Sequence, residues 1–468
     1  MKKILLFNPP SGSVKFSRDY FCSKALKGGY VEHSIDLLIL SGILYPSFDI
    51  AVLDATVDNL NENKCMKIIS QHAPDIIIFI TGYASFYKDF PLLKKIKHNN
   101  PEIIFIGIGN IFLEIPLNNQ NKWLDAILFD FTTDDIVHYI NNNLSSVKNM
   151  IYRQEERIID TRSGKYNNQE FEIPIPRHEL FLSKRYDFPF AKYLPFTTIL
   201  TDYGCPFSCS FCIYSTLGIK YRKLDNVLKE LEYINNLGIK ELFIKDQTFG
   251  WDRDRVIKLC SKMIEQKWNF SWTAFTKVDL IDNEVLSIMK NAGCHTLIMG
   301  VESANEEILE KYKKYLKKEQ VFRAFKLCKS FGIETVGTFI IGFPGEVKKS
   351  IINTINFATE LNCDFASFNC FTPRLSIAPS SRGKEINDYL DKPQIDQSGI
   401  VSVSGNGVLT GKKISKLLKY AIIHFYLRPK YLLHQLTKIK SPQKLRRFIK
   451  IGANLIIDYF IRKNKKRE

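Results

Sequence analysis

Three cysteines fall within eight residues in the stretch TDYGCPFSCSFCI (201–213), at positions 205, 209 and 212. Thiolates ligate metals and exchange with disulfides, so the spacing Cys-x3-Cys-x2-Cys opens several chemistries. A structural zinc ion takes four ligands, usually from two separated pairs, and no fourth Cys or His stands nearby in the sequence. A redox pair made by Cys209 and Cys212 leaves Cys205 without a part. Gly204, Pro206 and Ser208 make the stretch a loop, which disfavours three core thiols. A 4Fe-4S cluster takes four thiolates, and three would leave one iron open to an external chelator.

Such a loop must be held by what surrounds it. Strand patterns recur at 196–201, 241–245, 270–275, 295–300, 335–342 and 364–370, and the first five are each followed by a helical pattern such as VLKELEYINNLG (227–238) with its glycine stop. This alternation predicts a partial (β/α)6 barrel of the TIM type over 195–375, with the chemistry on the loops after the strands. Upstream, short apolar runs at 3–7, 48–54, 75–81, 103–108 and 126–130 are separated by helix-length segments. They predict buried parallel strands with crossover helices, hence a doubly wound, Rossmann-like domain over 1–145 whose ligands would lie at the strands' carboxyl ends. The expected class is α/β. Residues 146–194, rich in charge and proline, read as an irregular linker. Residues 376–468 read as a C-terminal extension, patternless to 410 and then carrying basic amphipathic helices.

In this setting Cys205, Cys209 and Cys212, with the aromatic Phe211 before the last of them, resemble the motif of the radical S-adenosylmethionine (SAM) superfamily. The resemblance spans roughly residues 195 to 375. It implies that the three cysteines hold a 4Fe-4S cluster and that the amino and carboxylate groups of SAM chelate the open iron. Electron transfer from the reduced cluster would then yield a 5'-deoxyadenosyl radical that abstracts a hydrogen atom. Further stretches match the family in order. FIKDQTF (243–249), with Asp246 and Gln247, stands where backbone holds the SAM amino group. GVES (300–303) resembles the family's Gly-x-Glu-Ser and would turn Glu302 and Ser303 to SAM. IGFPGE (341–346) would bring backbone at Gly342 close to adenine, and Phe211 would contact adenine. Taken singly, each is also an ordinary turn or a salt-bridged surface carboxylate.

An α/β domain that opens ILLFNPPSG, carries VLDA (52–55) after its second strand and precedes such a barrel resembles the cobalamin-binding branch of the superfamily, the class B methylase-like enzymes. This implies cobalamin between the domain's strand ends and the barrel mouth, and C-methylation or rearrangement as the reaction. The turns depart from the branch: GIGNIF (107–112) and FDFTTDD (129–135) replace glycine-richer loops, and Phe129 and Phe131 do not let backbone approach a flat macrocycle as glycine does.

Across 468 residues, 45% hydrophobic, 13% aromatic and 25% charged, the composition is that of a folded protein. No run of about eighteen uncharged apolar residues occurs. The start MKKILLFNPP breaks at Asn8-Pro9-Pro10, so a cytoplasmic chain with reduced thiols is expected. Apart from the motif, Cys22, Cys65, Cys260, Cys294, Cys328, Cys363 and Cys370 are scattered, most in apolar runs where cysteine acts as a small hydrophobe. From Gly411 onward, seventeen Lys or Arg face Asp458 and Glu468, a local +15 within the net +17. Basic amphipathic helices of this kind pack on a core, lie on an anionic membrane surface or bind nucleic acid. No RNA-binding module accompanies them, so peripheral contact with the inner membrane surface is the expectation beyond packing. The other partners implied are a small-molecule or lipid-like substrate and a reductant such as flavodoxin or ferredoxin. Tyr203, Tyr214, His295 and Asn369 are acid–base candidates by strand-end position. Two alternatives stand beside this reading. One is a cobalamin-free radical SAM enzyme, including methylthiotransferases that modify RNA; the other is a non-catalytic iron–sulfur protein.

Overall fold

The chain was described as a computed structural model, covering all residues except 13, 17, 19–22, 114–121, 156, 163, 184, 373–395, 440–441 and 462–468. Cys22 and the first part of the Ser, Gly and Pro-rich stretch fall outside the described residues.

The apolar runs become strands because branched side chains suit a pleated surface buried on both faces. In the N-terminal sheet these are β1 (Lys3–Asn8), β2 (Asp49–Asp54), β3 (Ile76–Ile80), β4 (Ile104–Ile108) and β5 (Ala126–Leu128). All five residues of β3, IIIFI, are buried. The strands pair in parallel in the order β2-β1-β3-β4-β5, so the order reverses between β1 and β3. Two antiparallel strands, β6 (Met150–Gln154) and β7 (Arg157–Asp160), extend the sheet beyond β5.

The second large sheet is all parallel: β9 (Phe196–Ile199), β12 (Glu241–Ile244), β13 (Ser271–Thr276), β14 (Cys294–Glu302), β15 (Glu334–Ile341) and β16 (Phe365–Cys370), in that order from one edge to the other. Helices follow each of β12 to β15, and their apolar faces pack on the sheet; Val285, Leu286 and Met289, which share one face of Asn283–Asn291, are an example. The sheet has the six parallel strands expected, consistent with a partial barrel of the TIM type.

A small third sheet, β10-β11-β8, joins β8 (Tyr166–Phe171), which precedes β9, to β10 (Asp202–Cys205) and β11 (Gly218–Arg222), which the chain forms after β9 and before β12. Its presence corrects two expectations. Residues 146–194 are not irregular throughout, since they contain β6, β7 and β8. The cysteine loop also does not spring straight from the barrel strand; the chain leaves β9 at Ile199 and forms a hairpin whose tip carries the cysteines.

One apolar cluster runs through both large sheets, from Leu6, Leu38 and Ile80 to Phe188, Phe196, Phe243 and Val336. Phe188 stacks on Phe243 with ring centroids 5.1 Å apart and meets Phe196 at 4.7 Å. Among the described residues no helix is long and apolar enough to cross a membrane.

Candidate active site at the carboxyl ends of the barrel strands

The cysteine hairpin is held by glycines and one carboxylate. Gly204 and Gly218 adopt positive φ, and a Cβ on either would lie about 2 Å from a carbonyl oxygen of the neighbouring strand, so neither tolerates a side chain. At the hairpin's root, the Asp246 carboxylate accepts from the Thr201 amide at 2.6 Å, the Asp202 amide at 3.2 Å and the Thr201 hydroxyl. Asp246 thereby fastens the end of β12 to the loop leaving β9. Burial lifts its pKa to about 6 in spite of these donors. Lys220 of β11 reaches Asp130 at the end of β5, where Tyr166 also donates at 2.5 Å, tying the hairpin to the N-terminal sheet.

A cavity of about 410 Å³ opens at the tip. Cys205, Cys209 and Cys212 line it together with Phe211, Gln247 and Glu302, so six of the nine residues singled out in the sequence converge there. Asp246, Ser303 and Gly342 lie behind the wall. The Ser303 hydroxyl accepts from the Asn305 amide at 3.0 Å and meets Thr354 Oγ1 at 3.4 Å. The Gly342 amide donates to Glu346 Oε2 at 2.8 Å, as the Phe343 amide does at 3.1 Å. Asn406 completes this turn by donating to the carbonyls of Phe343 and Glu346.

Glu302 stands where β14 is irregular and has φ +67, a left-handed conformation costly for a side-chain-bearing residue. The twist brings its carboxylate back over Gly300, where an added Cβ would lie 2.3 Å from Glu302 Oε1. Lys314 Nζ lies 3.5 Å from the same oxygen. Burial raises the Glu302 pKa, with Lys314 opposing it. Burial also works against the Lys314 charge, but Glu302 and the thiols of Cys209 and Cys212 outweigh it and hold the ammonium above the ordinary lysine value.

The loop is walled by rings. Phe211 meets Phe343 at 6.0 Å and Tyr312 at 6.3 Å, while Tyr312 and Phe371 pack on Phe343 at 4.8 and 5.2 Å. The Ser210 amide donates to the Tyr312 carbonyl at 3.0 Å.

Across the cavity, residues of the long loop after β1 cover the gap between the barrel's edge strands. Ser23, Leu26, Lys27, Tyr30 and Glu32 all reach the lining. Lys27 Nζ donates to Phe368 O at 2.6 Å, Asn369 Oδ1 at 2.8 Å and Ser367 Oγ at 3.2 Å. These are neutral acceptors, and burial lowers its pKa to about 8. Lys27, Glu32, Lys277 and Lys314 gave no signal in the sequence, since each is brought in by tertiary packing. Of the acid–base candidates, Tyr214 and Asn369 line the cavity. His295 does not: it sits at the amino end of β14, where its Nε2 lies 2.9 Å from Glu241 at the start of β12, opposite the end that carries the site. Tyr203 is buried against Phe131 and Tyr166.

The donor set is of the type a 4Fe-4S cluster takes: three thiols on one cavity wall, where a cubane would spread them over separate irons. The strand ends of the N-terminal domain fit cobalamin less well. Arg18 lies across them, pairing with Asp89 at 2.7 Å and donating to Asn8, Ser11, Thr56 and Pro10 O. This is where the strand order reverses, the place where such sheets bind ligands. The nearby glycines serve internal packing: a Cβ on Gly107 would lie 2.5 Å from the Phe112 ring, and one on Gly109 would lie 2.0 Å from Thr81 O.

Residues 199–358 match the Radical SAM superfamily. Over 449 residues, 92% of this chain and 94% of its relative, the sequence is 30% identical to an uncharacterized methyltransferase of Pyrococcus horikoshii. It is 23% identical over 427 residues to the anaerobic magnesium-protoporphyrin IX monomethyl ester cyclase of Rubrivivax gelatinosus, covering 86% and 76% of the two chains. The fold is similar to that of the radical SAM methyltransferase TsrM from Kitasatospora setae, solved with cobalamin and a 4Fe-4S cluster: TM-score 0.63 at 16% identity, covering 81% and 77% of the chains. It is similar also to the cobalamin-dependent radical enzyme OxsB with aqua-cobalamin, at TM-score 0.62 and 16% identity over 98% and 72%. The chain belongs to the radical SAM superfamily, and its fold is similar to those of TsrM and OxsB.

Proposed function

We propose that this enzyme modifies a carbon centre of a small natural-product or lipid-like molecule, by C-methylation or rearrangement. The observation that carries the reading is the meeting of three thiols with Glu302 in one cavity at the carboxyl ends of the barrel strands. Cys205, Cys209 and Cys212 would hold a 4Fe-4S cluster, and Phe211, Gln247 and Glu302 would face SAM. When bound, the reduced cluster and SAM supply a carbon-centred radical able to take a hydrogen atom from substrate, with electrons from a flavodoxin- or ferredoxin-like donor.

The chain's own residues position and shield this chemistry. Asp246 fixes the root of the hairpin before any ligand arrives. Glu302 presents a carboxylate whose charged form burial disfavours and Lys314 partly restores. Phe211, Tyr312, Phe343 and Phe371 keep water from one side of the loop. Lys27 and Asn369, hydrogen-bonded to each other and to Ser367, shape the opposite wall. The methyltransferase names of relatives support methyl transfer, and cobalamin is the third cofactor this reading calls for; it would take the crevice that Arg18 holds, so Arg18 must move for it to bind.

The test is anaerobic reconstitution followed by addition of dithionite and SAM. Release of 5'-deoxyadenosine or S-adenosylhomocysteine supports the reading, and release of neither leaves a non-catalytic iron–sulfur protein. The filled crevice favours a second reading, a cobalamin-free radical SAM enzyme, which predicts that hydroxocobalamin is not retained after desalting.

A further inference from the structure

The helix Pro442–Ile456 carries Lys444, Arg446, Arg447 and Lys450 and no acidic residue. One side of it is spent on the fold. Leu455 packs against the barrel core. Asn454 Nδ2 donates to Gly28 O at 2.5 Å, and Asp458, just past the helix, accepts from the Gly28 amide at 2.9 Å. Lys450 lies 3.4 Å from Asp187 and over the Tyr30 ring.

Another side faces solvent and is apolar. Leu445, Ile449 and Ile456 are 41%, 58% and 54% exposed, with Gly452 and Ala453 exposed between them. Steps of three and four residues put these on one arc of the helix, and the exposed Arg446 borders it. A helix of a globular protein buries its apolar stripe and turns charge to water. Here a stripe remains outside after the fold has used its own, and such stripes mark interaction surfaces.

The surroundings say what covers it. From Gly411 to Glu468 seventeen Lys or Arg face two acids, while the rest of the chain carries about +2 of the net +17. The exposed Arg446 and Lys450 on this helix, in a segment of such positive charge, match an anionic lipid surface, with the arc at the acyl boundary and the cations among headgroups. The helix also rests on Gly28, between the cavity-lining Lys27 and Tyr30.

We propose that the helix Pro442–Ile456 seats the protein on an anionic membrane surface, holding the cavity wall made by Lys27 and Tyr30 close to a lipid-borne substrate. The substrate clause rests on the radical SAM reading; the docking surface does not.

The full chain is tested by co-sedimentation with vesicles of phosphatidylglycerol in phosphatidylcholine, and with phosphatidylcholine alone. Sedimentation with the first and not the second is expected. Leu445→Gln, Ile449→Gln and Ile456→Gln should each weaken it roughly tenfold, with SAM cleavage unchanged as a control for folding, and Arg446→Glu should weaken it with a smaller salt dependence. Wild-type binding by the triple variant that combines Leu445→Gln, Ile449→Gln and Ile456→Gln would overturn the proposal, as would a salt-sensitive shift with an oligoribonucleotide and none with vesicles. A dimer that the triple variant abolishes, with no sedimentation, would assign the arc to a second copy instead. Vesicle binding without SAM cleavage would refute the enzymatic reading and leave the docking surface standing.

Discussion

Glu302 Oε1 and Lys314 Nζ face each other at 3.5 Å in the wall of the cysteine-lined cavity, and the carboxylate occupies the space where residue 300 would carry a Cβ. Glycine at 300 is thus a condition for Glu302 to reach the site. Glu302→Gln keeps the shape and removes the charge, leaving Lys314 buried beside an amide. Gly300→Ala keeps the charge and displaces it. Both should lower SAM affinity by about tenfold or more, the scale of a hydrogen bond to a charged group, while iron content stays that of the wild type. Calorimetric titration of SAM with iron analysis checks both; normal affinity in Gly300→Ala would separate Glu302 from SAM binding.

Cys370 lines the same cavity as the three motif cysteines. If the vacancy left by a missing fourth thiolate belongs to SAM, Cys370 is dispensable for the cluster. Cys205→Ala, Cys209→Ala and Cys212→Ala should each lose the cluster's visible absorbance and SAM cleavage to background. Cys370→Ala should keep the absorbance and the reduced cluster's electron paramagnetic resonance signal. Loss of the cluster in Cys370→Ala would make it a fourth ligand and close the site to SAM.

How far the sequence led can be seen at particular residues. Each barrel strand was legible because its residues form short, continuous apolar runs, and the cysteines were legible because their spacing is local. The edge strand Tyr166–Phe171 was not: its sequence YNNQEF is mostly exposed and has no apolar period, since it is held by pairing with Gly218–Arg222 rather than by burial. His295 was drawn in by standing at a strand end, although the run 295–300 already put it at the amino end, away from the carboxyl ends that carry the site. Asn406, Lys314 and Lys27 reach the site from distant segments, and no local pattern announces a contact made only by tertiary packing.

Arg18 pairs with Asp89 in the crevice that a corrinoid would need. Removing Arg18 alone leaves Asp89 a buried unpaired charge, a loss of about 3–5 kcal/mol, so the informative variant is Arg18→Ala with Asp89→Asn. It should retain more hydroxocobalamin after desalting than the wild type, read from corrinoid absorbance. Equal, stoichiometric retention by the wild type would show that Arg18 leaves unaided and does not gate the crevice.

His33 links the domains and should make their junction acid-sensitive. Its Nδ1 lies 3.3 Å from Thr198 Oγ1 on β9 and its Nε2 3.2 Å from Phe181 O, with the ring packed on Tyr186 and Phe196 at 4.1 and 4.7 Å. Burial lowers its pKa from 6.5 to about 3, with His178 and Lys245 adding to the effect. As pH falls below 6.5 the unfolded chain takes up this proton and the folded chain does not, so stability is full above 6.5 and drains toward pH 3. The slope from this group approaches ~1.4 kcal/mol per pH unit. His33→Gln should lower stability at neutral pH and flatten the acid limb by that slope, measured by urea unfolding of the iron-free protein from pH 7 to 4. Parallel limbs in the two proteins would mean that His33 is protonated within the fold and that the junction does not sense acid through it.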